Sequence, residues 1–204
     1  MKTAIDVVLL PSSKMTAKVI EINRELLKND VNKIILDAHN CLPHISLCMG
    51  VIENIGLPRI RAILSDVSAR FLPLQLEAVG IRADIIPTGK KVSGLRIKEE
   101  RLLQGLQAAV MDALWPYLTY DVNAGMLYNP QEIEEVTFGW IKGYAKKHED
   151  PSLFHPHITV GVGETGVFDD EFPIAFGASI LALCQLGNYC TARKVVDKFE
   201  LAAA

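Results

Sequence analysis

The chain opens with apolar residues gathered around a single charge: AIDVVLLP, residues 4–11, with Asp6 inside the run and Pro11 closing it. That pattern predicts a strand ended by proline. SSKMTAKVIEINRELLKND follows, with Met15, Val19, Ile22, Leu26 and Leu27 at helical spacing behind a serine cap, and predicts an amphipathic helix. LPHISLCMGVI reads as extended, and LPRIRAILSDVSARF as a second helix opened by Pro58. LQLEAVGIRADII and VSGLRI predict strands on either side of the turn PTGKK. A third helix covers EERLLQGLQAAVMDALWPYL and stops near Pro116, and a fourth runs through NPQEIEEVTFGWIKGYAKKHED, with lysines at its C-terminal end. PHITVGVG is extended again. ASILALCQLGNY and TARKVVDKFEL then form a strand pair about a turn at Gly187-Asn188.

Strands and helices alternate, but the strands come as adjacent pairs. This favours an α+β fold of antiparallel sheets with helices outside over a doubly wound parallel sheet. A length of 204 residues suits one domain or two intimate lobes. No linker-like stretch divides the chain, so residues 1–204 are expected to form a single two-lobed domain.

Composition narrows the classes. Half the residues are apolar and 22% are charged, which marks a globular chain. No apolar run reaches the roughly 20 residues of a membrane helix. The N-terminal run is short and interrupted by Asp6, unlike a secretory signal. The formal charge of −3 argues against a bulk polyanion binder and leaves room for a small phosphorylated substrate. Cys41, Cys48, Cys184 and Cys190 contain no CxxC pair and are expected to be reduced, buried thiols. The expectation is a cytoplasmic monomer with no membrane partner.

One phrase occurs twice. PHISLCMG begins at Pro43 and PHITVGVG at Pro156. They share Pro, His, Ile and a closing Gly, and the other positions stay close in kind except Cys48 against Gly161. In a strand, residues two apart point the same way. His44 and Ser46 therefore share a face, with Ile45 and Leu47 behind, and His157 and Thr159 share a face, with Ile158 and Val160 behind. If the lobes are related by an approximate two-fold, two imidazoles and two hydroxyls surround one small volume. Imidazole titrates near neutrality, so one copy can act as base while the other acts as acid. Hydroxyls can donate to non-bridging phosphate oxygens. The constellation suits phosphoryl chemistry and needs neither metal nor cofactor.

The doubled His-x-Ser/Thr phrase resembles the 2H phosphoesterase superfamily, which includes the 2′-5′ RNA ligase-like RNA cyclic phosphodiesterases. The resemblance covers most of the chain: opening strand ending in Pro, helix, first motif, long middle, second motif and closing strands. It implies a bilobal fold of two antiparallel β-sheets related by pseudo-two-fold symmetry, with the motifs lining a cleft between the lobes. It also implies opening of 2′,3′-cyclic or related 2′-linked phosphodiesters on RNA ends or small nucleotides, with a possible reverse ligation. Carried over by residue, the catalytic histidines are His44 and His157, and the phosphate-binding hydroxyls are Ser46 and Thr159.

Rival readings attach to other residues. A nucleotide- or RNA-binding module with the same fold and no turnover is one. A metal-dependent hydrolase using the HxH pair His155 and His157 is another, although Leu42 breaks that pattern in the first copy. GVGETG, residues 161–166, satisfies GxGxxG, but VFDDEFP follows it in place of a helix, so it reads as a Gly-rich turn. TGKK at Thr88 is a hairpin tip, with Lys90 and Lys91 as minor candidates for substrate phosphate. Trp140 and Tyr144 read as a buried helical face, not a base-stacking pair. Phe154 is a cleft-edge candidate, and Arg193 and Lys194 default to the surface.

Overall fold

A computed structural model describes residues 1–28, 34–164 and 171–203. Seven strands occur in it: β1 (Lys2–Pro11), β2 (Ile45–Glu53), β3 (Leu74–Ile85), β4 (Lys91–Ile97), β5 (His157–Val162), β6 (Ile174–Leu186) and β7 (Ala192–Glu200). Five helices accompany them: α1 (Ser13–Leu27), α2 (Leu57–Ser68), α3 (Arg101–Leu114), α4 (Glu135–Tyr144) and α5 (Lys146–Glu149). All the strand pairings are antiparallel. The α+β class predicted from paired strands is what the chain adopts.

The sheet order is β1-β2-β5-β4-β3-β6-β7, with β1 also paired to β6. The strands expected as two sheets are thus hydrogen-bonded into one. β6 is the reason. Its first part, from Ile174, pairs with β3, and its remainder lies between β1 and β7. β2 and β5 close the other side through a single pair, Ile45 opposite Ile158. The two strands that bear the repeated phrase are therefore direct neighbours, not walls facing each other from separate sheets.

The helices form where the apolar spacing predicts. Met15, Val19, Ile22 and Leu26 of α1 are buried, as are Ile60, Leu64 and Val67 of α2 and Leu103, Leu106, Val110 and Leu114 of α3. They join Ile5, Val7 and Leu9 of β1 and Ile45 and Leu47 of β2 in the main core. Each such side chain removed from water contributes about 1.5–3 kcal/mol. α1 packs behind β5, and α3 and α4 pack behind β2. A smaller cluster of Val8, Leu42, Ala182, Cys184 and Ala192 lies apart from this core.

Two boundaries differ from expectation. The fourth helix begins at Glu135, not at Asn129, because Asn129 is left-handed at φ 52° and Ile133 and Glu134 are extended. β6 begins at Ile174, four residues before the predicted strand, because pairing with β3 continues that far. All four cysteines are free and buried, as composition suggested. The Gly-rich turn reading runs past Glu164, where residues 165–170 lie outside the described part of the chain.

Candidate functional site

Alternation along the two motif strands is clean. Ile45, Leu47, Ile158 and Val160 are buried in the core, while His44, Ser46 and Thr159 are half-buried and His157 is exposed. Continuing the Ile45–Ile158 register by one residue either way sets His44 across from Thr159, and Ser46 across from His157. The sheet therefore brings all four predicted residues onto one face.

Both imidazoles are fixed in the same manner. His44 Nδ1–H donates to the Leu42 carbonyl at 2.7 Å, and His157 Nδ1–H donates to the His155 carbonyl at 2.9 Å. In each copy the acceptor lies two residues upstream. A bond at Nδ1 sets the tautomer and leaves Nε2 as the nitrogen available for proton transfer. The proline of each phrase, Pro43 or Pro156, separates the histidine from the carbonyl that orients it.

The strands share a second device. Opposite β1 the register skips Leu47, and opposite β4 it skips Val160, so both are bulge residues one position beyond the motif hydroxyl. A bulge leaves backbone groups outside the ladder, and buried carbonyls need donors. Gln107 of α3 donates through Nε2 to the Leu47 carbonyl at 3.4 Å, and Asn23 of α1 donates through Nδ2 to the Val160 carbonyl at 2.7 Å. Both amide side chains are buried. Asn23 also donates to the Ile34 carbonyl at 2.9 Å and accepts from Leu36 N–H at 2.9 Å. The one real mismatch between the phrases falls just past the bulge: Gly161 takes φ 156°, which disfavours a side chain.

A third support lies under motif one. The Tyr144 hydroxyl donates to the Ser46 carbonyl at 2.9 Å from a buried ring. The ring thus braces the strand and offers no open face for stacking. Tyr144→Phe is expected to lower stability by about 1 kcal/mol, the net worth of one such bond. Chemical denaturation measures it, and an unchanged midpoint would remove Tyr144 from this role.

Electrostatics distinguishes the two histidines. Burial pushes the His44 imidazole down to about 4, against a smaller upward pull from its bond to Leu42 and a further push down from nearby His157. His157 is also lowered by desolvation, with the neighbouring Lys147 ammonium adding to the depression. Both shifts favour the neutral ring, and an anionic phosphate placed between the two would favour protonation of one. Lys147 sits 4.4 Å from the Tyr144 ring centroid and 5.8 Å from that of Phe154. Its own ionisation is held down by burial and supported by Asp6.

Asp6 is fully buried on β1, and its Oδ2 lies 3.8 Å from His44 Nε2. Neither carboxyl oxygen has a hydrogen-bond partner of good geometry, although the Ser46 hydroxyl and Cys48 N–H lie close enough to favour the ionised form. Burial dominates and raises the carboxyl well above its usual range. Reading the sequence for chemistry missed Asp6, Asn23 and Gln107, and Lys147 appeared only as a charge near a helix end.

The remaining candidates lie elsewhere or are engaged. His155 is exposed and its ring meets Glu99 at 3.1 Å. Among the described residues no group of three His, Cys, Asp or Glu side chains is disposed to hold a metal, so the HxH pair lacks a further ligand there. Lys91 pairs with Glu164, and Lys90 lies 3.7 Å from Glu134. Arg193 lies over the Tyr128 ring at 5.3 Å, beside a cavity of about 470 Å³ that none of the four motif residues lines. Trp140 tilts against Tyr189, their ring centroids 6.1 Å apart. No described helix is long and apolar enough to cross a membrane.

No family model matches the sequence, and no curated protein does. Solved structures do match in shape. The crystal structure of TT0787 from Thermus thermophilus superposes with a TM-score of 0.56 at 18% identity over 98% of both chains. That of E. coli LigT in apo form gives 0.55 at 12% identity, over all of this chain and 99% of LigT. A phosphoesterase gives 0.53 at 10% identity over the full length of both. At such identities the likeness is one of fold: this chain adopts the fold of TT0787 and of LigT.

Proposed function

We propose that the chain is a metal-independent phosphodiesterase that opens 2′,3′-cyclic or related 2′-linked phosphodiesters on RNA ends or small nucleotides. The observation that carries this reading is the matched pair of motifs. Two His-hydroxyl pairs lie on neighbouring strands, each ring bonded through Nδ1 to the carbonyl two residues upstream. That leaves two Nε2 atoms and two hydroxyls for one phosphate. E. coli LigT, which shares the fold, has been crystallised with 3′-AMP and with NADP+; each carries a phosphate monoester on a ribose hydroxyl, the kind of group that opening a cyclic phosphodiester leaves.

In this mechanism a neutral imidazole takes a proton from water as its oxygen attacks phosphorus. The other imidazole, protonated, gives its proton to the departing ribose oxygen. Ser46 and Thr159 donate to the non-bridging oxygens, and the Lys147 ammonium adds positive potential where charge accumulates. With a ribose 5′-hydroxyl in place of water, the same steps join two ends: its oxygen attacks phosphorus of the cyclic diester, the P–O3′ bond breaks, the 3′-oxygen leaves with the proton from the acid, and a 2′-linked diester forms.

The test is turnover of 2′,3′-cyclic nucleotides, 2′,5′-linked dinucleotides, ADP-ribose cyclic phosphate and cyclic-ended RNA, each with excess EDTA. Opening of at least one compound at undiminished rate in EDTA is the expected result. Binding without turnover would make the chain a nucleotide-binding module, and loss of rate in EDTA restored by zinc would promote the His155–His157 pair.

A further inference from the structure

Asp6 has no role in the mechanism above, yet its place demands an account. From Ala4 to Leu9 the other residues of β1 are buried and apolar. An acid among them, with neither oxygen properly hydrogen-bonded, is unfavourable for folding. Its pairs in the sheet are Met49 on β2 and Cys184 on β6, which offer it no charge. Two groups near it do: His44, with Nε2 3.8 Å from Oδ2, and the Lys147 ammonium of α5. The other ionisable groups that sense Asp6 are the Cys48, Cys184 and Cys190 thiols and the Tyr144 phenol, and burial drives all four upward, away from ionisation at neutral pH.

Resting on the phosphodiesterase reading, we propose that Asp6 is a positioning residue that acts through His44, the two neighbouring side chains carrying one proton as a coupled pair. The pair has two states of equal net charge, carboxylic acid with imidazole and carboxylate with imidazolium. Passing between them moves one proton and leaves the total charge of the buried pair unchanged, so desolvation opposes the transfer less than it opposes charging His44 alone. His44 thereby carries a proton on Nε2 at a pH where an isolated imidazole in that site stays neutral; it passes that proton to the departing ribose oxygen, and the carboxylate left on Asp6 is reprotonated from solvent by way of His44. His157 lacks this support. Its nearby charge is Lys147, with the same sign as an imidazolium, and Asp84 acts on it more weakly. Two motifs alike in their hydrogen bonds are made unlike by what lies beneath them.

The variant that tests this is Asp6→Asn, which keeps the shape and removes the ionisation. On a cyclic nucleotide the wild type opens, kcat is expected to fall about 10–100-fold at pH 7 with KM little changed, the scale of weakening one acid–base group. The alkaline limb of the kcat profile reports the group that must be protonated. It should move at least one pH unit toward acid, because His44 in the variant holds a proton only at lower pH. Stability should move the opposite way from a structural residue. A buried carboxyl raised on folding binds a proton the unfolded chain has released, so the wild type loses stability as pH rises above the ordinary carboxyl range. The melting-temperature advantage of Asp6→Asn should therefore widen with pH.

A direct reading needs neither the variant nor turnover. Carbon-13 carboxyl and nitrogen-15 imidazole shifts of the wild-type chain should show Asp6 and His44 titrating in linked steps. Independent single titrations, or an Asp6→Asn enzyme with an unmoved pH profile and lower stability, would overturn the inference. Linked titration in a chain that turns over none of the phosphodiesters would leave the pair standing and sink the proposed function.

Discussion

Replacing His44 or His157 by Ala is expected to lower turnover of a 2′,3′-cyclic nucleotide by on the order of 10²-fold or more in each case, the usual scale for removing a positioned acid or base. Both rings stand on the face away from the core, and the strands are anchored behind them by buried Ile45, Leu47, Ile158 and Val160. The variants should therefore fold, and their circular dichroism and melting should stay close to the wild type. Removing both rings should have much less effect than the product of the single effects, since in the proposed mechanism the two act on one phosphate as a unit. Ser46→Ala and Thr159→Val should be milder, because proton transfer survives them. A folded His44→Ala enzyme with full activity would reduce the doubled phrase to a structural repeat.

The largest stability effect should come from a residue with no part in the chemistry. Asn23 is fully buried and ties three backbone groups: the carbonyls of Val160 and Ile34 and the N–H of Leu36. Asn23→Ala removes three buried hydrogen bonds at once. At about 1–3 kcal/mol for each buried bond lost, with partial relaxation, the expected loss is about 3–5 kcal/mol. Urea unfolding monitored by tryptophan fluorescence measures it, and a loss below about 1 kcal/mol would contradict the network described. Gln107→Ala should have a smaller effect, since that amide makes one long bond, 3.4 Å, to Leu47.

Residues whose role follows from periodicity are legible in the chain: strand alternation puts Ile45 and Ile158 behind the histidines, and helical spacing selects the buried faces of α1, α2 and α3. The site's four polar motif residues are legible because the phrase occurs twice, which no single strand pattern produces. The supports are not, although each leaves a trace. Asn23 falls one helical turn after Val19 and Gln107 one turn after Leu103, so each is an amide on an apolar stripe. Such a residue signals a buried partner and does not name it, because the partner is a backbone carbonyl on a distant strand. Asp6 likewise stands out in AIDVVLLP, but its neighbour His44 is brought close only by the pairing of β1 with β2. The single sheet is hidden for a similar reason: nothing in the residues of β6 announces that it serves three partner strands.

The two bulge carbonyls are gripped by different helices, Leu47 by α3 and Val160 by α1. Each His-hydroxyl pair therefore has its own mounting, set by a helix that packs behind its own strand. A substitution at Asn23 of α1 is expected to shift the second pair more than the first, and one at Gln107 of α3 the reverse. Under the proposed function, such a scaffold can be re-aimed at one end of a phosphodiester without losing its hold on the other, which makes substrate preference adjustable one side at a time from positions that never meet the substrate.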